Sequence, residues 1–287
     1  MLTTLKELLA HARKHHYCVP AFDVTEDIMT RTVLETADRL RSPVILMVLK
    51  MDLETDNGNG WVYQIPQILA AAEHHKIPVA LHLDHATELG VIRKALEQGC
   101  TSVMIDGSRL PFEENAAQAR EAVEMAAPFG ASVEAELGHV GGMDLDDKNC
   151  AENVLTEPDE VTRFVEQTGV DALAISIGTA HGVYRSQPKL NIEKLKELNA
   201  ASRVPLVLHG GSGTPNDQIQ EAVRNGICKL NIYADERVAM FRGLKEAAKI
   251  SDRTDPLPMD MFGRIKQELM GVVADKIKLL FADGKAW

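Results

Sequence analysis

The chain has 287 residues, 45% hydrophobic and 25% charged, a balance that excludes a disordered or fibrous protein and suits one α/β barrel. A formal net charge of -11 speaks against a nucleic-acid partner, which would need a basic face, and the longest apolar runs, such as VILMVL at 44–49, fall far short of the roughly 20 residues of a membrane span. With no basic-then-apolar leader and with Cys18, Cys100, Cys150 and Cys228 scattered without a CxxC pair, the chain reads as cytoplasmic, its thiols reduced and mostly buried.

In chain order, short β-branched runs alternate with longer amphipathic ones. Strands are expected at 18–22, 44–49, 79–84, 102–106, 132–137, 172–177, 204–209 and 227–232. Helices are expected near 27–40, 62–75, 88–98, 112–127, 158–168, 191–200, 215–225 and 236–249, with an extra C-terminal helix near 260–281. Thr25 before an acidic turn, Pro158, and Thr214-Pro215 as an N-cap followed by Pro read as helix starts. Each helix must return the chain to the same sheet edge, so the strands are parallel, and eight such units predict one (β/α)8 TIM barrel domain over 1–287. An open doubly wound sheet is disfavoured because the first turn, FDVTED at 22–27, lacks a dinucleotide glycine fingerprint.

In such barrels chemistry gathers at the carboxyl ends of the strands. His85 follows strand three in VALHLDHATELG, His181 follows strand six in ISIGTAHG, and His209 ends strand seven in LVLHGGSG. Three imidazoles on one rim can converge on an ion and leave a fourth position open, as a catalytic zinc requires. His11, His15, His16, His74 and His75 fall on helices or near their ends and read as polar surface, while His139 lies in a loop. Asp84 and His85 point oppositely along a regular strand, so both face the pocket only if the strand ends there. Asp84 would then be poised for proton transfer, and His82 is assigned to barrel packing or to support of a ligand. Asp106 lies near the end of strand four, and Glu134 and Glu136 share a strand face, near a metal if turned inward. HGGSGTP at 209–215 offers Gly210, Gly211, Gly213 and the Ser212 hydroxyl at a helix start, a place suited to phosphate, with Gly182 in AHG and Asn231 adding donors. The long acidic segment 137–158 has the length of an active-site lid.

Through VPAFDV, SPVIL, LHLDHA, MIDGS, VEAELGHVGG, TGVDALAISIGTAHGVY, PLVLHGGSG and KLNI, the chain resembles the class II, zinc-dependent fructose/tagatose-bisphosphate aldolases, most of all their short tagatose-bisphosphate branch. The resemblance covers nearly the whole chain. It implies that His85, His181 and His209 hold Zn²⁺, that Glu136 approaches the metal when it moves, and that Asp106 matches a second-metal position of some relatives. It implies that Asp84 exchanges the proton of the aldehyde-derived oxygen, and that Gly182, Gly210, Gly211, Ser212 and Asn231 bind the phosphate of dihydroxyacetone phosphate. Asp144 corresponds to the lid acid that serves the enediolate carbon, one methylene shorter than the usual glutamate, with Asp146 as its substitute. A homodimer or homotetramer and a monovalent cation, Na⁺ or K⁺, near the phosphate are further implications.

Three positions depart from the family pattern. Asp23 stands where FN is common, Leu49 where a small polar residue is, and Ala234 where a threonine is. These changes remove hydrogen-bond partners around the triose, and Asp23 would repel a nearby phosphate, so the expected reaction is retro-aldol cleavage of a phosphorylated ketose or related sugar acid with the aldehyde partner open. The rival readings are an imine aldolase using Lys229 or Lys50, a metal-dependent barrel hydrolase, and an inactive aldolase-like binding protein.

Overall fold

A computed structural model of the chain describes residues 1–141, 154–180, 188–250 and 254–287, apart from the side chains of Asp56, Asn57 and Ile250. Its strands are β1 (Val19–Asp23), β2 (Val44–Leu49), β3 (Val79–Ala86), β4 (Ser102–Ile105), β5 (Ser132–Leu137), β6 (Ala172–Ile175), β7 (Leu206–Leu208) and β8 (Ile227–Ile232). All pair in parallel and in chain order, and β8 closes on β1 with Val19 opposite Lys229 and Ala21 opposite Asn231. Around them stand α1 (Leu5–His15), α2 (Asp27–Arg39), α3 (Lys50–Glu73), α4 (Leu89–Glu97), α5 (Phe112–Ala126), α6 (Pro158–Thr168), α7 (Ile192–Ala201), α8 (Asn216–Arg224) and α9 (Ala234–Ile250). A C-terminal helix, α10 (Pro258–Leu279), packs on α9 and α2, so that α1 before β1 and α10 after α9 flank the eight βα units of a (β/α)8 TIM barrel. The strands are apolar runs because both faces are buried, the outer face under helices and the inner face in the barrel.

The interior is unusually polar. TIM barrels fill this space mainly with branched apolar side chains, yet His82, Asp84, Glu134, Lys229 and Asn231 all project into buried positions here. His82 Nδ1 sits 2.8 Å from Ser102 Oγ, so the histidine assigned to barrel packing is a hydrogen-bonded interior residue.

Four local expectations are corrected. β3 runs past Asp84 to Ala86; its pairing with β4 shifts between Leu83 and Ala86, and His85 takes a left-handed φ of 47°. That bulge, and not the end of the strand, turns neighbouring side chains to the same side. α1 lies outside the expected helices, although Thr4 and Glu7 form a capping box, each side chain meeting the other's backbone amide, ahead of buried Leu5, Leu8, Leu9 and Ala12. α3 starts twelve residues before 62, and Gly58, at φ 83°, turns it sharply enough that a Cβ on Gly60 would lie 2.5 Å from Leu53 Cα. Neither threonine caps a helix: Glu26 is the N-cap of α2 and Pro215 that of α8, while Thr214 Oγ1 donates to Gly210 O. Pro158 opens α6 as expected.

Candidate active site

A cavity of about 810 Å³ opens at the carboxyl ends of the strands and is lined by Asp84, His85, Asp106, Glu136, Gly210, Gly211, Ser212 and Asn231 among others. β3 delivers His85 and β7 delivers His209, their ring centroids 4.6 Å apart, and one ligand atom from each of Asp84, His85 and His209 lies within 4.8 Å of the others. His85, Asp106 and Glu136 form a second such group. His181, Gly182, Asp144 and Asp146 lie outside the described residues.

Carboxylates behind the imidazoles fix their orientation. His85 Nδ1 is 2.9 Å from Asp106 Oδ2, and the other Asp106 oxygen accepts from Ser108 N at 3.0 Å and Ser108 Oγ at 2.7 Å. Asp106, matched above to a second-metal position, is therefore engaged as the orienting partner of His85, whose Nε2 lies 3.8 Å from Asp84 Oδ2. His209 Nε2 is 2.9 Å from Glu134 Oε1, which turns Nδ1 toward Glu136 Oε2 at 3.4 Å. Backing of a ring by a carboxylate is the usual arrangement for a metal-ligating histidine.

The electrostatics of the pocket favour a cation. Burial alone would lower the pKa of His85, but Asp84, Asp106 and Glu136 outweigh it and hold the ring well above the ordinary histidine value. His209 is likewise raised, burial being overcome by Glu134 and Glu136. Conversely, burial would raise Asp84, but His85, His82, Lys229 and His209 keep its carboxyl well below the usual range. Among the described residues, the buried Glu136 Oε2 has no hydrogen-bond donor. Two imidazoles and converging carboxylates form the nitrogen and oxygen donor set that zinc takes, so these residues fit a divalent cation.

The phosphate-side residues are partly spoken for. Gly210, at φ 70°, packs so close to Ala180 that a Cβ would lie 2.4 Å from its carbonyl oxygen. Gly211 N–H donates to Asn231 O at 3.0 Å, and Ser212 Oγ accepts from Tyr233 N at 3.3 Å and Asp235 N at 3.2 Å, tying the β7 loop to the start of α9. The Asn231 amide donates to Asp84 Oδ1 at 3.2 Å and Oδ2 at 3.0 Å, so this residue, expected beside the phosphate, faces the acid.

All three departing residues line the cavity. Asp23 is buried, its Oδ1 without a hydrogen bond among the described residues, and burial together with Asp84 lifts its pKa well above the carboxylate range, which favours a neutral carboxyl over a phosphate-repelling charge. Lys229, considered for an imine, is fully buried and paired with Glu134 Oε2 at 2.9 Å, and Lys50 pairs with Glu88 at 2.7 Å. Sequence reasoning did not find Arg109, Tyr233 and Arg237 on the cavity wall, because loop and helix-start residues carry no periodic signal. His139, left ambiguous, also lines the cavity, its Nδ1 3.0 Å from Ser108 Oγ.

Comparison with known proteins agrees with this geometry. The profile described as Fructose-bisphosphate aldolase class-II matches residues 3–285. The chain is 35% identical to a fructose-bisphosphate aldolase of Staphylococcus aureus over 277 residues, 96% of each chain, and 35% identical to that of Giardia intestinalis over 312 residues, 99% of this chain and 94% of the other. The crystal structure of the YdjI aldolase from Escherichia coli K12 superposes with a TM-score of 0.88 at 33% identity, covering 100% of both chains. No helix among the described residues is long and apolar enough to cross a membrane. The chain thus belongs to the class II fructose-bisphosphate aldolases, a metal-dependent lyase family acting on phosphorylated sugars.

Proposed function

We propose that this protein is a zinc-dependent aldolase cleaving a phosphorylated ketose, or a related sugar acid, into dihydroxyacetone phosphate and an aldehyde. The observation that carries the reading is the meeting of His85 and His209 beside Asp84 and Glu136 inside a family member's strand-end cavity. His85, His209 and His181 would hold the ion, with Glu136 within reach of it. When bound, the ion supplies Lewis acidity at the ketone carbonyl.

Asp84 takes the proton of the hydroxyl that becomes the aldehyde oxygen as the carbon–carbon bond breaks, and Asn231 and Lys229 keep it ionised for that step. An acid of the 137–158 segment, Asp144 or Asp146, returns a proton to the carbon of the triose half. Gly182, Gly210, Gly211 and Ser212 form the phosphate end, where Asn231 serves through its hold on Asp84, and Na⁺ or K⁺ would offset charge there. Asp23, Leu49 and Ala234 alter the walls around the substrate, so the aldehyde half is the variable part. The chain would work as one domain over 1–287, in the cytoplasm, as a homodimer or homotetramer. Protein with full zinc occupancy, incubated with a panel of ketose phosphates and sugar-acid phosphates, should release dihydroxyacetone phosphate from at least one; no cleavage across the panel refutes the reading.

A further inference from the structure

His139, whose place the sequence leaves ambiguous, follows β5 on a pinned backbone: its N–H donates to Val154 O at 2.8 Å and its carbonyl accepts from Val154 N at 3.0 Å. Its side chain lines the active-site cavity and reaches Ser108, the residue that bonds Asp106 behind His85.

The available protons fix every donor in this row of contacts. An ionised carboxylate only accepts, so His85 Nδ1, 2.9 Å from Asp106 Oδ2, carries the hydrogen and its Nε2 is the bare nitrogen. Asp106 Oδ1 accepts the Ser108 N–H at 3.0 Å and the Ser108 O–H at 2.7 Å. A hydroxyl has one proton, and Ser108 gives it to the carboxylate, so His139 Nδ1, 3.0 Å from that oxygen, is the donor of the remaining bond. Glu136 Oε1, 3.9 Å from the same nitrogen, also favours a hydrogen there. Asp106 thus serves two imidazoles in the same tautomer, His85 directly through one oxygen and His139 through the hydroxyl on the other.

We propose that His139 is a positioning residue of the metal site: its Nδ1–H holds the Ser108 hydroxyl on Asp106 and so fixes the ring of His85. The hydroxyl of a serine rotates to suit whatever acceptor is near. With the His139 N–H on its lone pair, only the orientation aimed at Asp106 completes both bonds. A carboxylate held in this way keeps its other oxygen on His85 Nδ1, and the ring does not have to be turned when the ion arrives. No group of converging ligand atoms among the described residues includes His139, so it acts through Asp106 and not on the ion itself.

The inference rests on the reading that His85 holds the ion, and zinc binding separates the two. Metal-free full-length protein titrated with Zn²⁺ against a chromogenic chelator gives the affinity without any substrate. His139→Leu should weaken zinc binding about 10-fold, the low end of what such outer partners contribute, with an unchanged circular dichroism spectrum. Ser108→Ala should do the same, and the two together should lose little more than either alone, because both break one row of bonds. His139→Asn sets an amide N–H at the same place along the side chain as Nδ1 and should restore wild-type affinity. As a check that needs no variant to bind metal, the proton–nitrogen correlation spectrum of the wild type should show the ring signal that disappears in His139→Asn as an Nδ1–H tautomer. A wild type that takes up no zinc refutes the metal reading, and this inference with it. A wild type that binds zinc while His139→Leu binds it as tightly, a His139→Asn that loses as much as His139→Leu, or an Nε2–H tautomer refutes this inference alone.

Discussion

Replacing Glu134 by glutamine tests the buried charge network directly. Glu134 is fully buried, accepts from His209 at 2.9 Å through one oxygen and pairs with Lys229 at 2.9 Å through the other. Burial would raise its pKa, but Lys229, His209 and His82 bring it down from 4.5 to about 2. A displacement of that size is linked to about 3 kcal/mol of folding free energy. Removing one partner of such a pair also leaves the other charged and buried, which typically costs about 3–5 kcal/mol. For a chain of this length the loss translates into a melting point lower by on the order of 10 °C. Thermal unfolding of metal-free protein at pH 7 should show this drop for Glu134→Gln. The double variant Glu134→Gln with Lys229→Met should recover a large part of it, because no lone charge remains. Since the folded-state pKa is depressed, the stabilisation is complete above pH 4.5 and fades as pH falls toward about 2, so the gap between wild type and Glu134→Gln should narrow in acid. A drop below about 2 °C at pH 7, or a double variant worse than the single one, refutes the claim that this pair supports the barrel interior.

Other outcomes follow from the same geometry. Asp84→Asn should keep the bound metal, measured by atomic absorption, while kcat for cleavage falls by about 10²–10⁴-fold; a kcat near the wild-type value, or a fall that only tracks lost metal, would contradict the proton-transfer role. Chelation should abolish turnover, whereas borohydride with substrate should trap no lysine, Lys229 being held by Glu134; a trapped adduct detected by mass spectrometry would restore the imine alternative. Burial pushes Cys18 well up, Cys100 to about 12 and Cys228 to about 11, so none of these three thiols should react with a disulfide reagent at pH 8 before denaturation. Burial also raises Asp52 from 3.8 to about 6. Its ionisation therefore weakens the fold as pH rises through that interval, and Asp52→Asn should melt higher than wild type above pH 6 but not below pH 4.

The legible parts of the site were those carried by residue type at a repeated topological position. His85 and His209 stand out because each ends a strand of the same repeat, and Glu134 with Glu136 because a two-residue period places them on one face. What escaped was decided by bonds between distant segments. Asn231 bonds Asp84 across 147 positions, and Glu134 bonds His209 across 75, so the duties of these polar residues depend on which strand ends the barrel makes neighbours. The expected phosphate donors were blurred for the same reason, Gly211 and Ser212 being already bonded to the β8 strand and the segment that follows it.

The sequence by itself determined the barrel, because alternating buried strands and amphipathic helices allow few other closed arrangements, and it determined the histidine and acid types on which the chemistry draws. Only the tertiary structure decided how neighbouring Asp84 and His85 come to face one site. A left-handed residue inside β3 breaks the two-residue alternation. Such a backbone state costs energy locally and persists because the surrounding pairing and hydrogen bonds hold it, which no stretch of chain read alone can reveal.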